Sequence, residues 1–242
     1  MRGIILAAGK GTRLLPLTKY IAKALLPING RPAIEQVVEL FRDCGVLEIA
    51  IAIRHLGEQI KAQLGDGSEF DVRISYMEQG TLKGTAKAVE ATEGFISEDV
   101  LVASSDCILS HEHVKRLLEY HSSERCDATL SLKALSREAI LSSATVSMEE
   151  DGSISRIIEK PSKNEIISDI ASSPYYVFKD VILEYLPRVK PSKRNEYELA
   201  DVIQMMIDDG LNVKGLVCDD WKHLSDLKDL IRLNSDLEEA RD

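Results

Sequence analysis

Two glycines, a lysine, a hydroxyl and an arginine stand in a row in Gly9-Lys10-Gly11-Thr12-Arg13, directly after the apolar run Ile4-Ile5-Leu6-Ala7-Ala8. Those residue types in that order describe a pocket for phosphate. Glycines let a chain turn sharply and bring its N–H groups close to an anion. Lys10 and Arg13 add positive charge at the same place. A short apolar run without polar interruption reads as a buried strand over residues 3–8. The loop then falls at the carboxyl end of that strand, where open α/β sheets bind ligands. Read alone, the same residues also fit a flexible turn after an edge strand.

Two commoner phosphate loops are excluded by spacing. The P-loop needs a longer step from its first glycine to its Lys-Ser/Thr pair than Gly9-Lys10-Gly11-Thr12 provides. The dinucleotide fingerprint needs a third glycine where this chain has Leu14. Pro16 and the hydroxyl of Thr18 suit an extended loop, not a turn into a helix. Farther on, Lys23 precedes the apolar stretch Ala24 to Pro27. Pro32 suits the first position of a helix through Ala33, Val37, Val38, Leu40 and Phe41.

At these residues the chain resembles the sugar-1-phosphate nucleotidyltransferases. The resemblance rests on Leu6 to Arg13, on Pro16-Leu17-Thr18, and on Lys23 to Pro27 at the family's offsets. It implies an α/β fold: a single Rossmann-like three-layer domain on a mainly parallel mixed sheet. The C-terminal β-helix of some longer members is not expected, because no hexapeptide repeat occurs. The nucleotide part is expected over roughly 1–110 and the sugar-phosphate part over 111–242. The implied reaction moves a nucleotidyl group from a nucleoside triphosphate to a sugar-1-phosphate such as glucose-1-phosphate and releases pyrophosphate.

The resemblance also assigns roles. Leu6, Ala8, Gly9, Gly11 and Thr12 would hold the nucleotide, Arg13 the departing pyrophosphate and Lys23 the α-phosphate. Asp106 ends the apolar strand Leu101-Val102-Ala103 and is the candidate ligand for Mg²⁺, a hard cation that bridges carboxylate and phosphate. An aspartate there also fits a plain turn cap. Gln79 lies five residues before Gly84-Thr85, as in the family's base-reading segment. Its amide offers donor and acceptor to a pyrimidine edge, so UTP or dTTP is favoured. Glu159 and Lys160, in a Glu-Lys-Pro sequence, would take the sugar hydroxyls and the attacking phosphate. Glu196 would touch the substrate.

Three departures fall on the sugar and metal side. Ser105 replaces the family's usual glycine before the aspartate. Ser172-Ser173-Pro174 replaces an asparagine-alanine-glycine, and proline removes a backbone donor. His223 stands where the family has its second metal ligand, an aspartate or asparagine. Imidazole favours Mn²⁺ or Co²⁺ over Mg²⁺, and Asp219, Asp220 and Asp226 are nearby substitutes. These departures also admit a weakened relative, a regulatory subunit that binds nucleotide sugars. A dehydrogenase is disfavoured by Leu14 and Pro16.

The rest of the chain must position these groups. Its 242 residues are enough for a sizeable core. A net charge of −10 argues against a nucleic-acid partner, so an anion must be bound by local arrangement. Cys44, Cys107, Cys126 and Cys218 are scattered and read as reduced residues of a cytoplasmic protein. No signal peptide, lipidation motif or long apolar run points to a membrane. The protein is expected as a monomer or homo-oligomer. Strands over 46–53, 72–77, 100–104 and 128–133 alternate with helices over 56–64, 85–92 and 112–121. Strand-like pieces at 144–148, 154–159 and 175–178 precede helices over 197–209 and 224–240. This alternation predicts helices on both faces of the sheet.

Overall fold

The structure is a computed structural model and describes residues 1–219 and 221–235. Strand β1 (Arg2–Ala7) is followed by a two-residue hairpin of β2 (Pro27–Ile28) and β3 (Arg31–Pro32), and then by helix α1 (Ala33–Asp43). Next come β4 (Glu48–Ile53), α2 (Gly57–Leu64), β5 (Arg73–Glu78), α3 (Thr85–Glu90), β6 (Val100–Ser104), β7 (Cys107–Leu109) and α4 (His111–Ser123). The second half holds β8 (Ala128–Ala134), α5 (Arg137–Ile140), β9 (Ala144–Met148), β10 (Ile154–Glu159) and β11 (Ile170–Phe178). It closes with α6 (Leu199–Asp208), β12 (Val213–Val217), β13 (Trp221–His223) and α7 (Leu227–Arg232).

Side chains alternate along a strand, so a strand buried on both faces must be apolar throughout. Strand β1 is built that way. Ile5 and Ala7 share an apolar cluster with Ile34, Val37 and Phe41 of α1 and Ile60 of α2. Ile4 faces the other side, in a cluster with Val89 of α3 and Val202, Ile203 and Met206 of α6. Strand β6 divides the same way, with Leu101 and Ala103 on the first side and Val100 and Val102 on the second. The result is three layers with the sheet in the middle.

The main sheet has nine strands, ordered β10-β9-β11-β6-β1-β4-β5, with β8 pairing both β11 and β12. Strands β6, β1, β4 and β5 run parallel. Strand β11 runs antiparallel to β6, β8 and β9, which makes the sheet mixed. The carboxyl ends of β1 and β6 lie side by side, Leu6 paired with Ser104. That pairing brings the Gly9 loop next to Asp106.

Several boundaries differ from the sequence reading. Pro32 precedes the first helical turn, and α1 begins at Ala33. The stretch with Pro16 and Thr18 is wound into short 3₁₀ turns, Thr12–Leu14 and Leu17–Lys19, and is not extended. Strand β11 starts at Ile170, so Pro174 lies inside a strand. Its missing N–H is tolerated because the register with β8 shifts between Ser172 and Tyr176. Helix α6 begins at Leu199, and α7 begins at Leu227. Residues 236–240 of the expected last helix lie outside the described residues.

Candidate active site

A cavity of about 370 Å³ opens at the carboxyl edge of β1 and β6. Its lining includes Leu6, Ala8, Gly9, Gly11, Thr12, Arg13, Lys23, Gln79, Gly84, Thr85, Asp106 and Glu196, all anticipated from the sequence. Lys10, Arg54, Lys83, Ser104 and Ser225 also line it. Of these, Arg54, Lys83, Ser104 and Ser225 were given no role from the sequence, since a lone basic or hydroxyl residue at a strand end or in a loop is ordinary. In a chain of net charge −10 this cavity gathers Lys10, Arg13, Lys23, Arg54 and Lys83 against the acids Asp106 and Glu196.

The loop that carries Lys23 is tied down at several points. Thr18 Oγ1 donates to the carbonyl of Gly11 at 2.8 Å, and His55 Nε2 lies 2.9 Å from the carbonyl of Thr18. Gln59 accepts from the N–H of Ala22 and donates to the carbonyl of Tyr20. Gly11 is left-handed, with φ 62°. A Cβ there would lie 3.2 Å from Cβ of Lys23, so the lysine stem runs across the bare face of Gly11. This is how a residue a dozen positions downstream reaches the Gly9–Gly11 loop.

The head of Lys23 donates to Oδ2 of Asp106. Oδ1 of the same carboxylate accepts from the Ser104 hydroxyl. Asp106 is only 7% exposed. Burial alone would raise its pKa, but the Lys23 ammonium and the His223 ring hold it well below the usual carboxylate range. His223 Nε2 lies 3.8 Å from Oδ2, so the ring nitrogen faces the carboxylate. Strand β13 holds the ring there by pairing with β7, His223 opposite Cys107. The N–H of Leu224 also donates to the carbonyl of Asp106 at 2.9 Å.

Among the described residues no group of three or more His, Cys, Asp or Glu side chains is arranged to hold a metal. One buried carboxylate with an imidazole beside it fits a cation that takes its remaining ligands from substrate phosphate and water, the usual habit of Mg²⁺. Asp226 caps α7, its Oδ1 accepting from the N–H groups of Lys228 and Asp229, and it is absent from the cavity lining. Asp219 is exposed and absent from the cavity lining, and Asp220 lies outside the described residues.

Gln79 is 8% exposed. Its amide nitrogen donates to the carbonyls of Leu82 at 2.9 Å and Gly84 at 3.2 Å. The two donors are spent on shaping their own loop, which leaves Oε1 as the group free to meet a ligand. Gly84 also differs from the sequence reading. Its φ is 115°, and a Cβ there would collide with the backbone of Tyr197. The glycine serves the packing of one loop on another.

Glu159 and Lys160 stand outside the cavity lining. They belong to an adjoining charged cluster centred on Arg194, whose Nη1 is 3.5 Å from Glu198 and 3.9 Å from Glu159. Arg194 also pairs with Glu196, which lines the cavity and so joins cluster to cavity. Burial, followed by the charge of Glu198, raises the Glu159 pKa against Lys160 and Arg194. Lys160 has a left-handed backbone, φ 43°, unusual for a residue with a long side chain. Its N–H donates to Ser143 at 2.7 Å.

The family model described as nucleotidyl transferase matches residues 2–240. The chain belongs to the sugar-1-phosphate nucleotidyltransferase family. It is 31% identical over 236 residues to the low-salt glycan biosynthesis nucleotidyltransferase Agl11 of Haloferax volcanii, a match covering 97% of this chain and 65% of that protein. The chain therefore spans just under two thirds of that relative's length. It is 32% identical over 212 residues to a glucose-1-phosphate thymidylyltransferase of Neisseria meningitidis, covering 87% of this chain and 72% of that one. A Bacillus anthracis structure assigned as a glucose-1-phosphate thymidylyltransferase, in complex with sucrose, superposes with a TM-score of 0.86. That pair is 28% identical and covers 97% and 94% of the two chains.

Proposed function

We propose that this nucleotidyltransferase joins a nucleoside triphosphate, UTP or dTTP in preference, to a sugar-1-phosphate such as glucose-1-phosphate. The observation that carries the reading is a cavity lined by five cations in an acidic chain, with the buried carboxylate of Asp106 in its wall. An oxygen of the sugar phosphate attacks the α-phosphorus, and the bond to the β-phosphate breaks as pyrophosphate leaves on the opposite side. Such a transfer depends on positioning and on stabilising charge, with no covalent protein intermediate.

The N–H groups around Gly9 and Gly11 cradle the triphosphate. Lys23 stabilises the α-phosphate, and Arg13 the departing pyrophosphate. Lys10 and Arg13 line the cavity and form no close ion pair among the described residues, although Arg13 is near enough to Asp226 to help lower that carboxylate's pKa. Asp106 would hold Mg²⁺, with Mn²⁺ or Co²⁺ as alternatives and His223 beside it; the metal supplies charge neutralisation on the substrate phosphates. Lys160 and Arg194 hold the attacking phosphate, and Glu159 accepts from sugar hydroxyls. Oε1 of Gln79 accepts the N3–H of uracil or thymine.

The test is pyrophosphate release across a panel of nucleoside triphosphates and sugar-1-phosphates. UTP or dTTP with an aldohexose-1-phosphate should give the highest kcat/KM. Comparable values for ATP and UTP would contradict the base assignment, and no release with any pair would overturn the transferase reading.

A further inference from the structure

Lys23 and a divalent cation ask for the same atom. The Lys23 ammonium sits on Oδ2 of Asp106, while Oδ1 already accepts from Ser104. Both oxygens of the carboxylate are thus engaged by side chains of the protein itself, and the carboxylate is nearly buried. The Lys23 stem lies on Gly11, inside the loop that would cradle phosphate. Its head therefore needs only side-chain rotation to move from carboxylate to phosphate.

We infer that Lys23 keeps the metal off Asp106 until a triphosphate draws the ammonium away. The inference rests on the reading of Asp106 as metal ligand and of the Gly9–Gly11 loop as phosphate cradle. It adds that the free protein excludes the metal and that nucleotide binding admits it. Linkage makes the effect reciprocal: whatever takes Asp106 from Lys23 strengthens triphosphate binding, and whatever takes Lys23 from Asp106 strengthens metal binding. The device also keeps a bare cation from occupying the site unproductively. No backbone motion is required, because Gly11, Thr18 and Gln59 hold the loop in place.

The experiment has two arms on the full chain. In the first, Mn²⁺ binding to nucleotide-free protein is followed by electron paramagnetic resonance. Lys23→Met should bind Mn²⁺ on the order of tenfold tighter than wild type, and Lys23→Met/Asp106→Asn should lose that gain. In the second arm, UTP binding is measured by calorimetry in EDTA. Asp106→Asn should tighten UTP binding, and by several-fold more when Lys23 is present than in the Lys23→Met background. A gain equal in both backgrounds is simple relief of charge repulsion and overturns the inference. So does a Lys23→Met protein that folds normally but binds Mn²⁺ no tighter. If Lys23→Met fails to fold, the neutral Lys23→Gln takes its place in both arms. UTP that binds no form of the protein refutes the phosphate-cradle reading itself, a result distinct from either failure of the gate.

Discussion

The backbone of Tyr197 lies directly against the bare Cα of Gly84. Tyr197 N–H donates to the carbonyl of Lys83 at 2.9 Å, and its carbonyl accepts from Ala86 N–H at 3.0 Å. Thr85 Oγ1 accepts from Leu199 N–H at 2.9 Å. Four consecutive residues, Lys83 to Ala86, are thereby stitched to the segment that carries Arg194, Glu196 and Glu198.

Gly84→Ala should therefore be costly in two ways, by a positive φ and by a collision with backbone that cannot rotate aside. The expected loss is about 3 kcal/mol of stability, with weaker UTP binding. Gly80→Ala is the control, because a Cβ at Gly80 meets nothing within 4 Å. Urea midpoints of both variants decide the matter. A Gly84→Ala protein as stable as Gly80→Ala would show that the loops are not coupled through this contact.

Arg13→Ala and Lys23→Ala should each lower turnover by on the order of 10²-fold or more, since each removes a charge-assisted contact to phosphate. Their stabilities should differ. Arg13 is exposed, so its loss leaves the melting temperature unchanged. Lys23 neutralises a nearly buried carboxylate, and its removal should cost about 1–3 kcal/mol. Steady-state kinetics and thermal melts together check both halves. Unaltered kinetics in both variants would sink the assignment of the cavity.

Much of this site was legible in the sequence, and the reason is local. The Gly9 loop and Asp106 follow recognisable strands, and parallel strands deliver their carboxyl ends to one edge; Lys23 was legible only through its offset from that loop. Arg54, directly after the parallel strand β4, and Lys83, inside the Gln79–Gly84 segment, stood at readable places but were given no role, whereas only tertiary folding brings Ser225 to that edge. The role of Gly84 was half legible. Its permissiveness was plain, but its partner is 113 positions away and leaves no local mark. Strands β7 and β13 are three residues each, below any periodicity signal, yet their pairing sets His223 beside Asp106. Strand β12 carries a glycine in its middle and reads as a loop until it pairs with β8.

Acid should destabilise this protein through two histidines of α4. His113 Nε2 lies 2.8 Å from Ser131 Oγ, and His121 Nδ1 lies 2.8 Å from Thr129 Oγ1. Burial lowers the pKa of both; Arg116 adds to the effect at His113, while Asp99 opposes it at His121. A histidine with a depressed folded pKa binds fewer protons than in the unfolded chain, whose value is about 6.5. Their contribution is therefore complete above that value and is lost as pH falls below it. Urea midpoints should drop between pH 7.5 and pH 5.5. The drop should be smaller in His121→Gln and His113→Gln, whatever those variants cost at neutral pH. An unchanged drop in both would remove these residues from the explanation.

The metal preference follows from the group that faces Asp106. His223 Nε2 points at the carboxylate from 3.8 Å, held by the β13–β7 pairing and by a T-shaped contact with Trp221, ring centroids 5.6 Å apart. An imidazole in this place favours later first-row metals, so Mn²⁺ or Co²⁺ should support turnover at least as well as Mg²⁺. His223→Asp supplies a hard anionic oxygen and should raise Mg²⁺-supported turnover relative to Mn²⁺. It also places a second carboxylate against Asp106, so its Mg²⁺-free form should melt lower than wild type, and added Mg²⁺ should recover more of the loss than in wild type. The ratio of kcat/KM with the two metals, measured for both proteins, is the deciding quantity. If that ratio does not move, His223 orients Asp106 without touching the metal. If wild type binds UTP but turns over with none of the three metals, the site holds nucleotide sugars without making them, as expected of a regulatory subunit.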